Sequence, residues 1–164
     1  MSAKPGQLEP PTSGLERSRS GANLTASPRV VVGVDGSADS VAALLWAAPE
    51  ACRRGAVLQL VSAWDEANAD ENGAGRPGSA RIAARLLDRA LKQVLREELR
   101  PERIACSPVK GDPGEVLLDK ARGADLLVLG VTADRDSQVP GATGLYCLRH
   151  AHIPVVFVAG PFRA

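Results

Sequence analysis

The stretch from Arg29 to Ser37 constrains the fold of this chain more than any other. It begins with a mostly β-branched apolar run, Val30–Val34, and ends in Asp35-Gly36-Ser37, after which a helical pattern starts. A buried strand that stops at a glycine-containing turn and leads into a helix is the opening unit of an open α/β sheet. Ligands of such sheets bind outside the carboxyl ends of the strands. The residues Gly33–Ser37 are therefore the first place to expect a site.

Composition narrows the class of protein. The chain has 164 residues, of which 45% are hydrophobic and only 3% aromatic, so the core of one domain is built from Val, Leu and Ala. The formal net charge of +1 gives no electrostatic argument for binding nucleic acid or an acidic membrane surface. No apolar run approaches the ~20 residues that cross a bilayer, and the N-terminus lacks the apolar segment of a signal peptide. We therefore expect a cytoplasmic protein without nucleic-acid or membrane partners.

The chain divides into a tail and one domain. Residues 1–28 are rich in Ser, Gly, Pro and Ala and show no periodicity, which predicts a disordered N-terminal tail. Residues 29–160 form the predicted folded domain. Its three cysteines, Cys52, Cys106 and Cys147, have no metal-binding or redox spacing, and we expect them to be buried and reduced.

Strands and helices alternate along the domain. Strands are predicted at 29–34, 57–64, 103–109, 125–130 and 154–159, with helices after Ser37, Ser79 and Asp112 and a short one over 144–151. This order requires parallel strands joined by right-handed crossovers. Pro108 lies inside the third strand and favours an edge position. The prediction is a Rossmann-like α/β fold, an open parallel five-stranded sheet of order 3-2-1-4-5 with helices on both faces.

The helix faces and the last strand lead to further expectations. The first helix is predicted to bury Val41, Leu44, Leu45, Ala48 and Cys52, and the second to bury Ile82, Leu86, Ala90, Val94 and Leu95. Pro49 is expected to kink or split the first helix because it lacks a backbone N–H. The strand Pro154–Ala159 is too apolar for a solvated edge, so we expect a homodimer through it.

Four segments in the right order and spacing resemble the universal stress protein family. They are Val-Val-Val-Gly-Val-Asp-Gly-Ser at 30–37, Gly-Asp-Pro-Gly-Glu-Val-Leu-Leu at 111–118, Gly-Ala-Asp-Leu-Leu-Val-Leu-Gly at 123–130 and Leu-Arg-His-Ala-His-Ile-Pro-Val-Val at 148–156. The resemblance implies a small Rossmann-like domain, a homodimer and a cytoplasmic role in the stress response. Many members bind ATP without being efficient enzymes, and others bind none.

The family's ATP motif is altered in this chain. The motif is a Gly, two residues, a second Gly, nine residues, and a Gly followed by Ser or Thr. Gly130 matches the first position, Ala133 replaces the second, and Gly141 matches the third after a shortened loop; Ala142 replaces the hydroxyl residue, with Thr143 one place later. Such glycines let backbone N–H groups approach phosphates at a turn or a helix N-terminus.

The altered loop also carries charge that opposes phosphate binding. Asp134 and Asp136 add negative charge beside the expected phosphates, and only Arg135 opposes them. Because like charges repel, Mg²⁺ is expected to accompany any bound ATP. The residues implied in nucleotide binding are Gly33, Asp35, Ala63, Gly130, Val131, Thr132, Ala133, Arg135, Gly141, Ala142 and Thr143.

Catalytic and metal-binding motifs are missing from the sequence. It contains no P-loop, no GxGxxG fingerprint and no nucleophile elbow, and the two histidines, His150 and His152, fit a structural role at a helix end. We expect a dimeric regulatory module that binds ATP between the first and fourth strands. The alternative is a family member that has lost nucleotide binding and acts through protein partners. An ATP-hydrolysing or nucleotidyl-transferring enzyme is the third and weakest hypothesis.

Overall fold

Five strands alternate with four α-helices along the described residues. A computed structural model of the protein describes residues 27–68, 76–131 and 140–160. The described elements, in chain order, are β1 (Arg29–Gly33), α1 (Ala38–Arg53), β2 (Val57–Trp64), a single 3₁₀ turn (Glu66–Asn68), α2 (Ala80–Val94), β3 (Ile104–Lys110), α3 (Pro113–Lys120), β4 (Leu126–Val131), α4 (Ala142–His150) and β5 (Val155–Ala159). No helix in these ranges is long and apolar enough to span a bilayer.

The strand order confirms the predicted fold class. The described strands form one parallel sheet of order β3-β2-β1-β4-β5, so β1 lies at the centre between β2 and β4. Pro108 lies in the edge strand β3, opposite Ser62 of β2, as its missing N–H predicted. The order changes direction between β1 and β4, and ligands of doubly wound sheets bind at this switch point.

The two faces of β1 explain its unbroken apolar sequence. Val30 and Val32 belong to the core beneath α1 and α2, and Val31 belongs to the core on the opposite face beneath α3 and α4. All three valines are fully buried. A strand that is buried on both sides needs apolar residues at every position rather than at alternate ones.

The predicted buried faces of the first two helices are partly wrong. Leu45, Ile82 and Leu95 remain 36%, 44% and 50% exposed, respectively, and α2 ends at Val94, one residue before Leu95. The prediction is confirmed for Leu44 and Ala48 of α1 and for Ala90 and Val94 of α2. The other buried apolar residues, which it missed, are Ala43, Ala47 and Ala51 of α1, and Ala83 and Leu87 of α2. Alanine supplies four of the five buried apolar residues of α1 and two of the four of α2, and such small side chains let a helix axis lie close to the sheet. The prediction failed because it gave preference to the largest apolar residues.

Two further expectations about the helices need correction. The helix α1 continues across Pro49 as one element, so of the expected kink or split, the split is wrong. The short last helix begins at Ala142, two residues earlier than predicted. This earlier start places Thr143 in the first turn of α4 and Gly141 at its N-cap.

The cysteines differ in environment. Cys147 is buried as expected, Cys52 is half-buried, and Cys106 is exposed on β3, contrary to the prediction. Burial raises the pKa of the Cys147 thiol to about 11, and the charge of Asp112 acts in the same direction. The pKa of Cys106 is also raised, by partial burial and by the charge of Asp88. Both thiols are therefore protonated near pH 7 and are poor nucleophiles.

Arg29 holds the end of α3 that lies away from the cleft, a role that the sequence did not reveal. Its guanidinium donates hydrogen bonds to the carbonyl oxygens of Lys120 (3.1 Å) and Arg122 (2.5 Å), and to Gln59 Oε1 (3.0 Å). A cation at the C-terminus of a helix pairs with the last carbonyl groups and with the negative end of the dipole. Arg29 thus ties α3 to the start of the central strand.

Ser62 provides a stability test. Its hydroxyl is fully buried in β2 and has no hydrogen-bond partner among the described residues. Since an unsatisfied buried polar group costs ~1–3 kcal/mol, we expect Ser62→Ala to raise the free energy of unfolding by about 1 kcal/mol in chemical denaturation. Ser40 is the matched control because its buried hydroxyl donates to the Ser37 carbonyl oxygen at 3.0 Å, so Ser40→Ala should lower that free energy. A destabilised Ser62→Ala protein would contradict the assignment.

Candidate functional site

A cleft of about 890 Å³ opens at the carboxyl ends of β1, β2 and β4. The N-terminal turns of α1, α3 and α4 form its walls. Binding sites for small molecules usually enclose ~300–1,000 Å³, so the cleft has room for a nucleotide. The predicted residues that line it are Gly33, Asp35, Ala63, Gly130, Val131, Gly141, Ala142 and Thr143. Thr132, Ala133 and Arg135 lie outside the described residues.

Asp35 forms the turn between β1 and α1 and also lines the cleft. Its carboxylate accepts a hydrogen bond from the Ser37 N–H at 2.8 Å, and Gly36 supplies the positive φ of 84° that the turn needs. Ser37 Oγ then accepts from the Ser40 N–H at 3.1 Å and caps α1. Asp35 therefore stabilises the turn before α1, and it remains exposed beside the cleft.

The N-terminus of α3 is closed by its own cap. Asp112 Oδ1 accepts from the N–H groups of Gly114 (2.9 Å) and Glu115 (3.4 Å), which agrees with the predicted helix start after Asp112. The capping carboxylate occupies the place where an anion could meet these N–H groups. The N-terminus of α3 is therefore not available for a phosphate.

Among the described residues, no side chain caps the N-terminus of α4, which we call its open N-terminus. Its N-cap residue, Gly141, makes no side-chain hydrogen bond to the first turn, whereas side chains cap α1, α2 and α3. Residues 141–144 all line the cleft. The first N–H groups of a helix lack partners within the helix and carry the positive end of its dipole. The chemistry that α4 offers at this end of the cleft is therefore hydrogen-bond donation to an anion.

Two glycines fix the position of α4. A Cβ added at Gly114 of α3 would lie 2.5 Å from Cδ1 of Tyr146, and one added at Gly144 would lie 3.1 Å from Cε1 of Phe157. Gly114 thus lets α4 lie close against α3, and Gly144 lets it lie close against β5. These contacts hold the open end of α4 at the cleft.

Gly130 and Gly33 have packing roles of their own. A Cβ at Gly130 would overlap the Asp39 carbonyl group and lie 2.7 Å from the Ser40 nitrogen, so glycine is needed where β4 meets α1. A Cβ at Gly33 would lie 2.9 Å from Cδ2 of Leu129. The resemblance implied that both glycines touch a nucleotide. The structure adds a close-packing requirement at both positions.

Sequence reasoning missed part of the cleft wall. Arg76 lies there with its Nη2 atom 3.5 Å from Asp112 Oδ2, and the carbonyl oxygen of Pro77 accepts from the Asp65 N–H at 3.0 Å. Buried Asp39, in the first turn of α1, lines the cleft as well. Arg76 lies between the second predicted strand and the helix predicted after Ser79, and the sequence gave no signal that this residue reaches the start of α3.

Neither His150 nor His152 is among the described residues that line the cleft. His150 Nδ1 is 2.9 Å from the carbonyl oxygen of Tyr146, and its ring stacks on the Tyr146 ring at a centroid distance of 4.3 Å. Within residues 27–68, 76–131 and 140–160, no group of three or more His, Cys, Asp or Glu side chains could hold a metal ion. The described site therefore offers hydrogen-bond donors and carboxylates, but no metal-ligand cluster.

Comparison with known proteins decides the family. The sequence model of the universal stress protein family matches residues 27–159, which include every described strand and helix. The chain belongs to the universal stress protein family. The resemblance seen in the four sequence segments is thereby confirmed. No curated protein matches the chain significantly.

Solved structures of other universal stress proteins share this fold. One, in complex with cAMP, is 26% identical, with 81% of this chain and 97% of that chain covered and a TM-score of 0.55. One from Archaeoglobus fulgidus, in complex with dAMP, is 19% identical over 82% and 99% of the two chains, with a TM-score of 0.57. One from Arabidopsis thaliana, with AMP bound, is 18% identical over 82% and 92%, with a TM-score of 0.57.

Proposed function

We propose that this universal stress protein is a regulatory module that binds an adenine nucleotide in the cleft between β1 and β4. Support comes from family membership and from the relative in complex with cAMP. Two more distant proteins of the same fold hold AMP and dAMP. ATP is one member of this ligand class, and it would bind together with Mg²⁺ because phosphate oxygens coordinate this cation.

The open N-terminus of α4 is the observation that carries the proposal. Gly141 leaves the first N–H groups without a side-chain cap from its own position, and no described residue beyond its immediate chain neighbours lies within 4 Å of the place where its Cβ would be. A phosphate fits such an end because it accepts hydrogen bonds from N–H groups and lies in the positive field of the helix. The residues present therefore fit the phosphate of a nucleotide.

The nucleoside would lie over the ends of β1 and β2. Gly33, Asp35 and Ala63 line this part of the cleft. The exposed Asp35 carboxylate is a suitable acceptor for ribose hydroxyl groups, and small Ala63 leaves space for a flat base. Asp35 would thus serve both the turn before α1 and the sugar.

A regulatory rather than catalytic role is supported by the chemistry of the cleft. Its described lining includes Ser37, Ser40 and Thr143 as hydroxyl groups but contains no His, Cys or Lys. Activation of a hydroxyl nucleophile normally uses an adjacent base such as His or Lys. Incubation with Mg-ATP is therefore expected to give no ADP or AMP above the level of a Gly141→Val control, and turnover above that level would overturn this part of the proposal.

Nucleotide that copurifies with the protein tests the binding proposal. The purified protein is denatured, and the released small molecules are separated and identified by mass. Adenine nucleotide in the supernatant, or a thermal shift with millimolar AMP or Mg-ATP, is the expected result. If no nucleotide is released and no thermal shift occurs, the result favours the alternative of a module that acts through protein partners. The exposed α4 residues Leu145 and Leu148 offer apolar contacts for such partners.

We also propose a homodimer through β5, in the cytoplasm. Val155, Val156, Phe157 and Val158 of this edge strand are all only half-buried. An apolar edge with open N–H and C=O groups is a template for pairing with a second copy. The three free thiols suit a reducing compartment.

A charge on β5 tests the dimer. Val156→Asp is expected to convert a dimer into a monomer, because the carboxylate would be buried without a partner in the paired edge. Light scattering measures the mass, and Val109→Asp on the opposite edge strand serves as a matched control that should remain dimeric. If Val156→Asp folds by circular dichroism and has the same mass as the wild-type protein, pairing through β5 is wrong.

A further inference from the structure

The outer face of α2 carries a straight row of positive charges. Its members recur at intervals of three or four residues, and all are exposed: Arg81, Arg85, Arg89 and Lys92. The geometry of an α-helix places these positions within a sector of about 80° and along a line about 16 Å long. The centre of this sector lies roughly 170° around the helix axis from the centre of the buried face. We call these four residues the basic stripe.

Described neighbours neutralise little of this charge. Asp88 is the one carboxylate of α2, and it pairs with Lys92 at 2.8 Å. None of the ion pairs between described residues includes an arginine of the stripe. Arg96, shortly after the helix, adds an exposed cation before the next carboxylates, Glu97 and Glu98. The expectation of no membrane partner rested on the net charge of +1, which averages the stripe with acidic segments elsewhere.

Exposed aliphatic side chains border the stripe on both sides. Ile82 is 44% exposed and Leu95, at the C-cap, is 50% exposed. Helical geometry places them about 60° and 80° from the centre of the stripe, in opposite directions. A basic line bordered by apolar side chains matches a surface that is anionic outside and apolar just beneath, as an acidic lipid leaflet is.

Nucleic acid fits this face less well. Single-stranded nucleic acid binds to platforms of aromatic side chains on which the bases stack, and α2 contains no Phe, Tyr or Trp. A phosphate backbone on the stripe would also lie beside the exposed Ile82 and Leu95, which gain nothing from contact with charge. The aliphatic borders therefore favour lipid as the anionic partner.

We propose that the outer face of α2 binds reversibly to an anionic lipid surface. The basic stripe would contact the headgroups, and Ile82 and Leu95 would reach the boundary between headgroups and acyl chains. The apolar face of α2 is already used by the sheet, so the contact depends mainly on charge and weakens as salt increases. It is independent of nucleotide binding, because the cleft lies at the carboxyl ends of the strands and contains no residue of α2.

Sedimentation with lipid vesicles tests the proposal. The full chain is mixed at low salt with vesicles of phosphatidylcholine and phosphatidylserine in a ratio of about 7:3, or of phosphatidylcholine alone. We expect binding to the anionic vesicles only, weakened about tenfold or more by raising the salt to about 0.5 M. No binding to the anionic vesicles, or equal binding to both kinds, would overturn the proposal.

Charge reversal locates the contact on the stripe. Arg85→Glu combined with Arg89→Glu should lower the affinity for anionic vesicles about tenfold or more, since each basic residue near such a surface contributes about fivefold. Arg122→Glu combined with Arg149→Glu makes the same charge change at exposed positions just after α3 and on α4, on the opposite side of the sheet. This control should retain most of the binding. With both proteins folded by circular dichroism, equal losses would show that net charge, rather than the stripe, drives the binding and would overturn the proposal.

A conservative substitution separates lipid from a partner that needs defined geometry. Arg85→Lys combined with Arg89→Lys keeps the charge and should retain the vesicle affinity within about twofold, because a lipid surface requires no bidentate contact. A loss as large as that of the glutamate variant would overturn the lipid assignment. Oligonucleotide binding that persists at the salt concentration where vesicle binding is lost, and that the glutamate variant abolishes, would assign the stripe to nucleic acid instead.

Discussion

Replacing Gly130 by alanine is expected to lower the free energy of unfolding by about 3 kcal/mol. The added methyl group would overlap the Asp39 carbonyl group and lie 2.7 Å from the Ser40 nitrogen. Both atoms belong to the backbone of α1, so no side-chain rotation can relieve the overlap. Either β4 or the first turn of α1 must move, and both line the cleft. Chemical denaturation measures the loss.

Gly141→Ala is the matched control for this substitution. In the described part of the chain, no atom beyond the neighbouring residues lies within 4 Å of a Cβ at Gly141, and its φ of −64° is accessible to any residue. Alanine there should change the free energy of unfolding by less than about 1 kcal/mol. An equal loss in both proteins would show that the close approach of β4 to α1 is not what requires Gly130.

Gly141→Asp is expected to abolish most nucleotide binding while leaving the fold intact. The new carboxylate would lie at the N-cap of α4, where it accepts hydrogen bonds from the N–H groups that we assign to the phosphate. Stability should stay the same or rise by a few tenths of a kcal/mol, because Asp caps a helix slightly better than Gly. The dissociation constant for AMP should rise at least about tenfold, which corresponds to ~1.4 kcal/mol. Titration calorimetry and a thermal melt measure the two effects.

Gly141→Asn distinguishes the effect of the added negative charge from the effect of a side chain that caps the N–H groups of α4. Its amide oxygen can cap α4 but brings no negative charge, so the loss of affinity should be smaller than with aspartate. Wild-type affinity in the Gly141→Asp protein would place the phosphate away from α4. A strong loss of stability would instead mean that Gly141 is required by the fold.

The strand order of the sheet could be predicted because the sequence features that indicate it are local. The apolar run Val30–Val34 required a strand buried on both faces, the caps Ser79 and Asp112 marked helix starts, and Pro108 marked an edge. Chain connectivity and the handedness of crossovers then left few arrangements. The same reasoning placed the cleft, since the switch point follows from the strand order.

The buried helix faces and the contact between Arg76 and Asp112 in the cleft wall could not be predicted in the same way. Which of Ala43 and Leu45 faces the sheet depends on how closely α1 approaches it, and that distance is fixed by Gly130 of another element. The contact between Arg76 and Asp112 joins residues 36 positions apart, in a loop without periodicity. Long-range contacts of this kind leave no pattern in a single sequence.

Direct titration of AMP into the purified full-length protein tests the central claim, that the cleft beneath α4 binds an adenine nucleotide. After any copurified nucleotide has been removed, calorimetry is expected to show saturable binding of one AMP per chain, with an increase in the thermal midpoint. Inorganic phosphate at the same concentration should give a much weaker signal. No heat of binding and no thermal shift at millimolar AMP would contradict the account.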